Sequence, residues 1–321
     1  MDLYFAAEMG DLNRVQVLLV QGVDKEMTDV RGQTALYAAS HNGHLLVVQY
    51  LVEQGAVMQK ANDCGWTPLL VASRNGHLDV TRYLLKQGAN KTQADIGGDT
   101  SLHLAVMRDQ QEIVNLLVEQ GVDKDRNGHD GYTPLSLASR YDHLTVVQNL
   151  VEQGADMEKG GNFDWTPLIV ASHHGHIMVA RYLLEQGANR DKVDTHGFTS
   201  LHTAANNGHL EITKLLMEYG ANLYARTDRN ELPIDMPLAT EEIKQAIRDE
   251  PRRRMDHGFQ RATEQDRHPN TASAQQEKTA EEEEEEEPSN KRPRFEDGET
   301  EKGKVAEEDE DSEPSSDEDG N

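Results

Sequence analysis

The chain has 321 residues, with 32 basic and 58 acidic side chains, a formal net charge of −26, 36% hydrophobic residues and 5% aromatics. Its single cysteine, Cys64, excludes an intramolecular disulfide framework, and no run approaches the roughly 18–20 apolar residues that span a bilayer. The acidic start, Met1-Asp2-Leu3-Tyr4, is unlike a secretory signal, so an intracellular protein is expected, nuclear or cytoplasmic or both.

The charge is uneven. Residues 251–321 carry 11 basic and 24 acidic side chains, the same net −13 that residues 1–250 spread over more than three times the length. Low apolar content then reads as a folded part diluted by a disordered one. So acidic a chain does not invite nucleic acid phosphates, and basic proteins or peptides suit it better.

Residues 1–250 repeat every 33 positions. Thr34, Thr67, Thr100, Thr133, Thr166 and Thr199 keep that step, as do Gly22, Gly55, Gly88, Gly121, Gly154, Gly187 and Gly220. Leucines from Leu3 to Leu201, alanines from Ala6 to Ala204 and a second leucine register from Leu18 to Leu216 do the same. Seven units without an insertion predict an all-α solenoid, with units at 1–31, 32–64, 65–97, 98–130, 131–163, 164–196 and 197–229.

In the third unit, Gly65 allows a tight turn, Thr67 caps a helix and Pro68 suits its first position, where the missing N–H has no partner anyway. Ala72 is small enough for neighbouring helices to approach. A second helix carries Leu78, Val80, Tyr83, Leu84 and Leu85 on its apolar face and ends at Gly88. A unit this short falls below the roughly 40 residues of a viable lone core, so each must bury its face on its neighbours.

Thr67-Pro68-Leu69, Gly76-His77, Thr199-Ser200-Leu201-His202-Thr203-Ala204-Ala205 and Gly208-His209-Leu210 resemble the ankyrin repeat family over about residues 2–250. The resemblance implies a helix–turn–helix binding scaffold whose hairpin tips and first helices line the concave, partner-facing side. Four departures stand out. The first unit lacks its leading hairpin, as an N-terminal cap would. The fourth has Arg108-Asp109-Gln110-Gln111 where its neighbours place Gly-His, and the sixth has Asp164 for the turn glycine. Beyond Pro233, residues 230–250 read as a truncated cap whose helix starts at Thr240 with glutamates in its first turn.

Catalysis finds no support. There is no Gly-Lys-Ser/Thr phosphate loop, Gly-x-Ser-x-Gly elbow or His-Glu-x-x-His motif. His44, His77, His143, His176 and His209 share one register, so their spacing is architectural and points to capping or core duty. His173, His174 and His176 cluster without a fourth zinc ligand nearby. No metal and no cofactor is expected.

The residue before each repeat threonine reads Gln33, Trp66, Asp99, Tyr132, Trp165 and Phe198. The ends of the first helices read His41-Asn42, Arg74-Asn75, Met107-Arg108, Arg140-Tyr141, His173-His174 and Asn206-Asn207. With Arg31 at a tip, these registers make an aromatic and basic groove, with Arg31, Trp66, Arg74, Arg108, Tyr132, Arg140, Tyr141, Trp165, His173, His174 and Phe198 as candidate partner-binding residues. Such a groove suits an acidic or phosphorylated peptide. Stacking on single-stranded nucleic acid would use the same residue types but is opposed by the net charge. The plain alternative is that tip aromatics pack on adjacent tips and the arginines pair with nearby acids.

Residues 251–321 read as a disordered acidic tail with seven consecutive glutamates, 281–287. Lys291, Arg292, Pro293 and Arg294 resemble a nuclear import signal, and Ser315 and Ser316, ahead of Asp317-Glu318-Asp319, resemble acidophilic kinase targets. The expected function is a non-enzymatic interaction scaffold with the tail as modulator. Alternatives are a chaperone-like binder of basic clients such as histone tails, or a regulator similar to the inhibitors of NF-κB, which also join ankyrin repeats to an acidic C-terminal segment.

Overall fold

The structure, a computed structural model, describes residues 3–267, with side-chain surroundings for residues 3–255. Seven helix pairs follow one another: α1 (Leu3–Glu8) and α2 (Leu12–Val20), α3 (Ala35–His41) and α4 (Leu45–Glu53), α5 (Pro68–Arg74) and α6 (Leu78–Lys86), α7 (Ser101–Met107) and α8 (Gln111–Glu119), α9 (Pro134–Arg140) and α10 (Leu144–Glu152), α11 (Pro167–His174) and α12 (Ile177–Glu185), α13 (Ser200–Asn206) and α14 (Leu210–Glu218). A last helix, α15, covers Glu241–Arg267. Among the described residues there is no β-strand, only isolated bridges between Thr28 and Thr34 and between Ala94 and Thr100. No helix there is long and apolar enough to cross a membrane.

The repeat threonines set where the first helices begin. The Oγ1 of Thr34, Thr67, Thr133, Thr166 and Thr199 each accepts the N–H three residues on. At Thr100 and Thr199 the backbone N–H in turn donates to Nδ1 of His103 (3.3 Å) and His202 (3.2 Å). Each ring then donates from Nε2 to the carbonyl of Arg126 (3.0 Å) or Glu231 (3.2 Å) in the next loop. From α3 onward the first helices are almost wholly buried, and they pack on one another more closely than the second helices do. Alanines such as Ala39, Ala72 and Ala105, each fully buried, permit that approach.

The register histidines act between units rather than as caps. His44, His77, His176 and His209 sit at the starts of second helices without a side-chain cap bond. Instead each Nε2–H reaches back to a carbonyl of the preceding unit: Glu8 (2.9 Å), His41 (2.8 Å), Arg140 (2.9 Å) and His173 (3.0 Å). The fourth unit breaks this series. Gln110 stands in the histidine position, Asp109 (φ 54°), like Asp142 (φ 59°) in the fifth unit, takes the left-handed conformation the other units give to glycine, and the buried Nε2 of His143 in the following unit has no partner among the described residues. The apolar core divides at the same place, one cluster running from Leu3 to Ala89 and the other from Leu102 to Ile247.

Helix α15 forms the expected C-terminal cap and runs on past residue 250. Thr240 does cap it, accepting from the Ile243 N–H at 3.3 Å, and Ile243 and Ile247 are buried. The helix nevertheless continues through Pro251 to Arg267, although proline removes one helical hydrogen bond. Contacts across the fold offset that loss. Arg254 donates to the carbonyls of Met217 (3.3 Å) and Ala221 (2.9 Å), which close the C-terminal end of α14, and to Glu250 (3.1 Å). A guanidinium at a helix C-terminus meets both the orphan carbonyls and the dipole. The glutamate run, Lys291, Arg292, Pro293, Arg294, Ser315 and Ser316 lie outside the described residues.

Candidate protein-binding surface

The tips between helix pairs are shaped by one register. Asp29, Asn62, Asp95 and Asp194 each use Oδ1 to accept two backbone N–H groups, two and four residues on, folding the loop into an Asx turn. Adjacent tips are tied by single backbone bonds, Asp63 N–H to Arg31 carbonyl (3.1 Å), Ile96 to Cys64 (3.2 Å), Thr195 to Phe163 (3.0 Å) and Asp228 to His196 (3.0 Å). Gly128 and Gly161 occupy the Asx position in the fourth and fifth units. There the chain makes short 3-10 turns in which Asp130, Phe163 and Asp164 take positive φ.

On this frame the candidate residues form three groups. At the N-terminal end, Arg31, Gln33, Tyr37, Cys64 and Trp66 line an open cavity of about 510 Å³, and the Arg74 guanidinium lies 4.9 Å from the Trp66 ring centre. In the middle, the Arg140 guanidinium stands 5.1 Å from the Tyr132 ring and 5.9 Å from Tyr141. At the C-terminal end, Phe163, Trp165, His173, Asp194, His196 and Phe198 line a second cavity of about 330 Å³. His174 is exposed beside it, with its ring against His173 (4.8 Å) and His176 (5.8 Å). Arg108, exposed at the end of α7, belongs to none of the three groups, but its charge reaches Arg74.

Among the described residues none of Arg31, Arg74, Arg108 and Arg140 makes an ion pair. Aromatic faces hold two of them instead, each contact contributing about 0.5–1 kcal/mol. Burial, then the charge of Arg108, lowers the pKa of Arg74. The histidines add no charge at neutral pH. Burial first, then His209 and Arg140, pushes His173 below the usual range. Burial first, then the neighbouring His173 and Arg140, pushes His174 down to about 4. The basic character of the face therefore rests on arginines in its N-terminal and middle parts and does not extend to His173 and His174. Among the described residues no group of three or more histidine, cysteine, aspartate or glutamate side chains is placed to hold a metal.

A family model for ankyrin repeats, in three copies, matches residues 3–95, 91–160 and 156–227. The chain belongs to the ankyrin repeat family. Among solved structures it is similar to the crystal structure of the human ASB11 ankyrin repeat domain, at 27% sequence identity and a TM-score of 0.53, over 78% of this chain and 97% of that one. No curated protein matches it. Ankyrin repeats are protein–protein interaction modules, and the arginine and aromatic residues above project from the tips and first helices of this one.

Several residues of these cavities, Tyr37 among them, escaped the sequence reading. Cys64, Phe163 and His196 stand one, four and five repeat steps from Arg31, so extending that register finds them. Asp194 is visible only as an Asx-turn residue, and nothing in its register announces that its second oxygen accepts the Trp165 indole N–H at 3.1 Å.

Proposed function

We propose that this chain is a non-enzymatic adaptor that grips an extended segment of a partner protein along the tips and first helices, and that acidic or phosphorylated residues of that segment meet Arg74, Arg108 and Arg140. The reading rests mainly on one observation. In three consecutive units the first helix ends at or beside an arginine that makes no ion pair among the described residues, in a chain of net charge −26, and two of these arginines lie on tip aromatics. Arginine recognises carboxylate and phosphate bidentately, and arginine and aromatic side chains dominate interface energies. Helices stacked about 8–10 Å apart correspond to about three residues of extended chain per unit. Acidic residues spaced by about three then fit successive arginines.

The acidic segment beyond residue 267 is assigned a modulating role, through its own sign and the candidate phosphorylation sites Ser315 and Ser316, and Lys291–Arg294 would direct the protein to the nucleus. The rival is a tail-driven binder of basic clients. A quantitative pull-down read by mass spectrometry separates the two. Arg74→Ala/Arg108→Ala/Arg140→Ala is compared with Arg82→Ala/Arg181→Ala on the second helices and with a chain ending at residue 267. An adaptor loses its partners in the first variant and keeps them in the other two. Partners lost only on truncation would assign the function to the tail.

A further inference from the structure

The two cavities lie at equivalent places between adjacent tips and differ in the turn residue beneath them, Asn62 in the first and Asp194 in the second. Their tryptophans are not equivalent: Trp66 stands in the place that Phe198 takes in the second cavity, and Trp165 in the place that Gln33 takes in the first. In the first the Asx residue is a neutral amide, Arg31 and Asp63 share the lining, and Arg74 lies on the Trp66 ring. In the second it is a carboxylate, 8% exposed, which makes no ion pair among the described residues. The Oδ1 of Asp194 takes the N–H groups of His196 (2.8 Å) and Phe198 (2.9 Å), and Oδ2 takes the Trp165 indole (3.1 Å). Its charge is thus met by dipoles alone. A buried carboxylate without a counter-cation is costly, and an incoming cation offsets that cost.

The walls favour the same sign. Trp165 is held by its own hydrogen bond and by the His173 ring (4.9 Å), Phe163 packs on His196 (6.1 Å), and Phe198 lies edge-on to His202 (5.8 Å). Ring faces carry negative potential and attract cations within about 6 Å. Asn206 also lines the cavity, and its buried Oδ1 has no donor among the described residues. The broad χ2 of asparagine allows that oxygen to turn toward an entering donor.

We infer that this cavity is a subsite for the ammonium group of a lysine side chain in the partner segment, held by Phe163, Trp165 and Phe198 above Asp194. A lysine fits better than an arginine because both carboxylate oxygens already accept N–H groups. No free bidentate edge remains for a guanidinium fork, whereas a compact point charge needs only proximity. The inference rests on the adaptor reading and refines it, giving the partner segment a polarity. Its cationic residue sits at the sixth and seventh units, and its acidic residues lie toward Arg140, Arg108 and Arg74.

The test uses the full chain, 15N-labelled, and follows the Trp165 indole N–H resonance, identified by its loss in Trp165→Phe. The Trp66 indole serves as an internal reference. The probes are Nα-acetyl-lysine methylamide and its norleucine and glutamate counterparts. A saturable shift of the Trp165 signal is expected with the lysine probe, about tenfold weaker with norleucine and absent with glutamate. Asp194→Asn keeps the Oδ1 acceptor, as Asn62 does at the equivalent turn, and is expected to bring the lysine probe down to the norleucine level while the indole spectrum stays dispersed. Equal binding of lysine and norleucine, unchanged lysine binding in Asp194→Asn, or no saturable shift with any probe would overturn the subsite. Should the arginine variant lose its partners while the lysine probe shows no preference, the adaptor reading stands and only the lysine subsite falls. A lysine preference with no partner loss would remove the adaptor reading and leave the cation site.

Discussion

The histidine register offers a comparison in which most terms cancel. His77 and His143 occupy the same repeat position, each starting a second helix. The Nε2–H of His77 donates to the His41 carbonyl at 2.8 Å, whereas the Nε2 of His143 is buried without a partner. Truncation to alanine removes a similar ring in both cases. In His77→Ala a hydrogen bond is lost as well, about 0.5–1.5 kcal/mol. Its carbonyl is not orphaned, because the Asn75 side chain still donates to it at 2.9 Å. In His143→Ala no bond is lost, and the desolvation cost of an unpaired polar atom, about 1 kcal/mol or more, is relieved. His77→Ala is therefore expected to be the more destabilising by about 1.5–2.5 kcal/mol. Urea unfolding followed by circular dichroism reads this as a lower midpoint for His77→Ala, by about 0.5–1 M at unchanged slope. Equal midpoints, or a lower one for His143→Ala, would refute the claim that these rings tie unit to unit through backbone carbonyls.

Other predictions follow from the same geometry. The joint around the fourth unit lacks two histidine bonds and sits where the core divides, so backbone hydrogen exchange should be faster over 98–121 than in the flanking units; uniform protection would remove the weak joint. Gly43→Ala places a Cβ about 2.5 Å from the His77 ring at φ 76°, and a loss of about 2 kcal/mol or more is expected in thermal unfolding. Arg254→Ala removes two bonds to the end of α14 and should speed exchange over 210–221 while leaving residues 3–89 unchanged. His174 binds its proton less readily folded than unfolded. Its contribution is fully present above pH 6.5 and is lost as pH falls from there toward about 4, and screening at this exposed ring limits the loss to about 1 kcal/mol. Replacing it with glutamine should flatten that part of a pH–stability profile.

What could be read from the sequence, and what could not, divides along physical lines. Periodic features were legible because they come from local rules repeated six or seven times: threonine caps, a small alanine at each helix contact, glycine where φ turns positive. The two tryptophans and the arginine series were legible for the same reason, as departures within a fixed register. Three things depend on contacts the register does not encode. Arg254 secures a helix that continues through Pro251, using carbonyls more than thirty residues earlier. The neutrality of His173 and His174 arises from burial and crowding of like charges. The carboxylate under Trp165 becomes a site only because two tips meet.

The adaptor account is tested most directly by placing a photo-crosslinking phenylalanine derivative at single positions of the full chain in cells. Tyr132 and Tyr141 represent the tip and first-helix face, and the exposed Leu46 and Met178 represent the second helices. The account predicts that both tyrosine positions capture neighbouring residues of one acidic partner segment, and that Leu46 and Met178 do not. Capture of that segment from the second helices, or from the glutamate run at 281–287 alone, would contradict it.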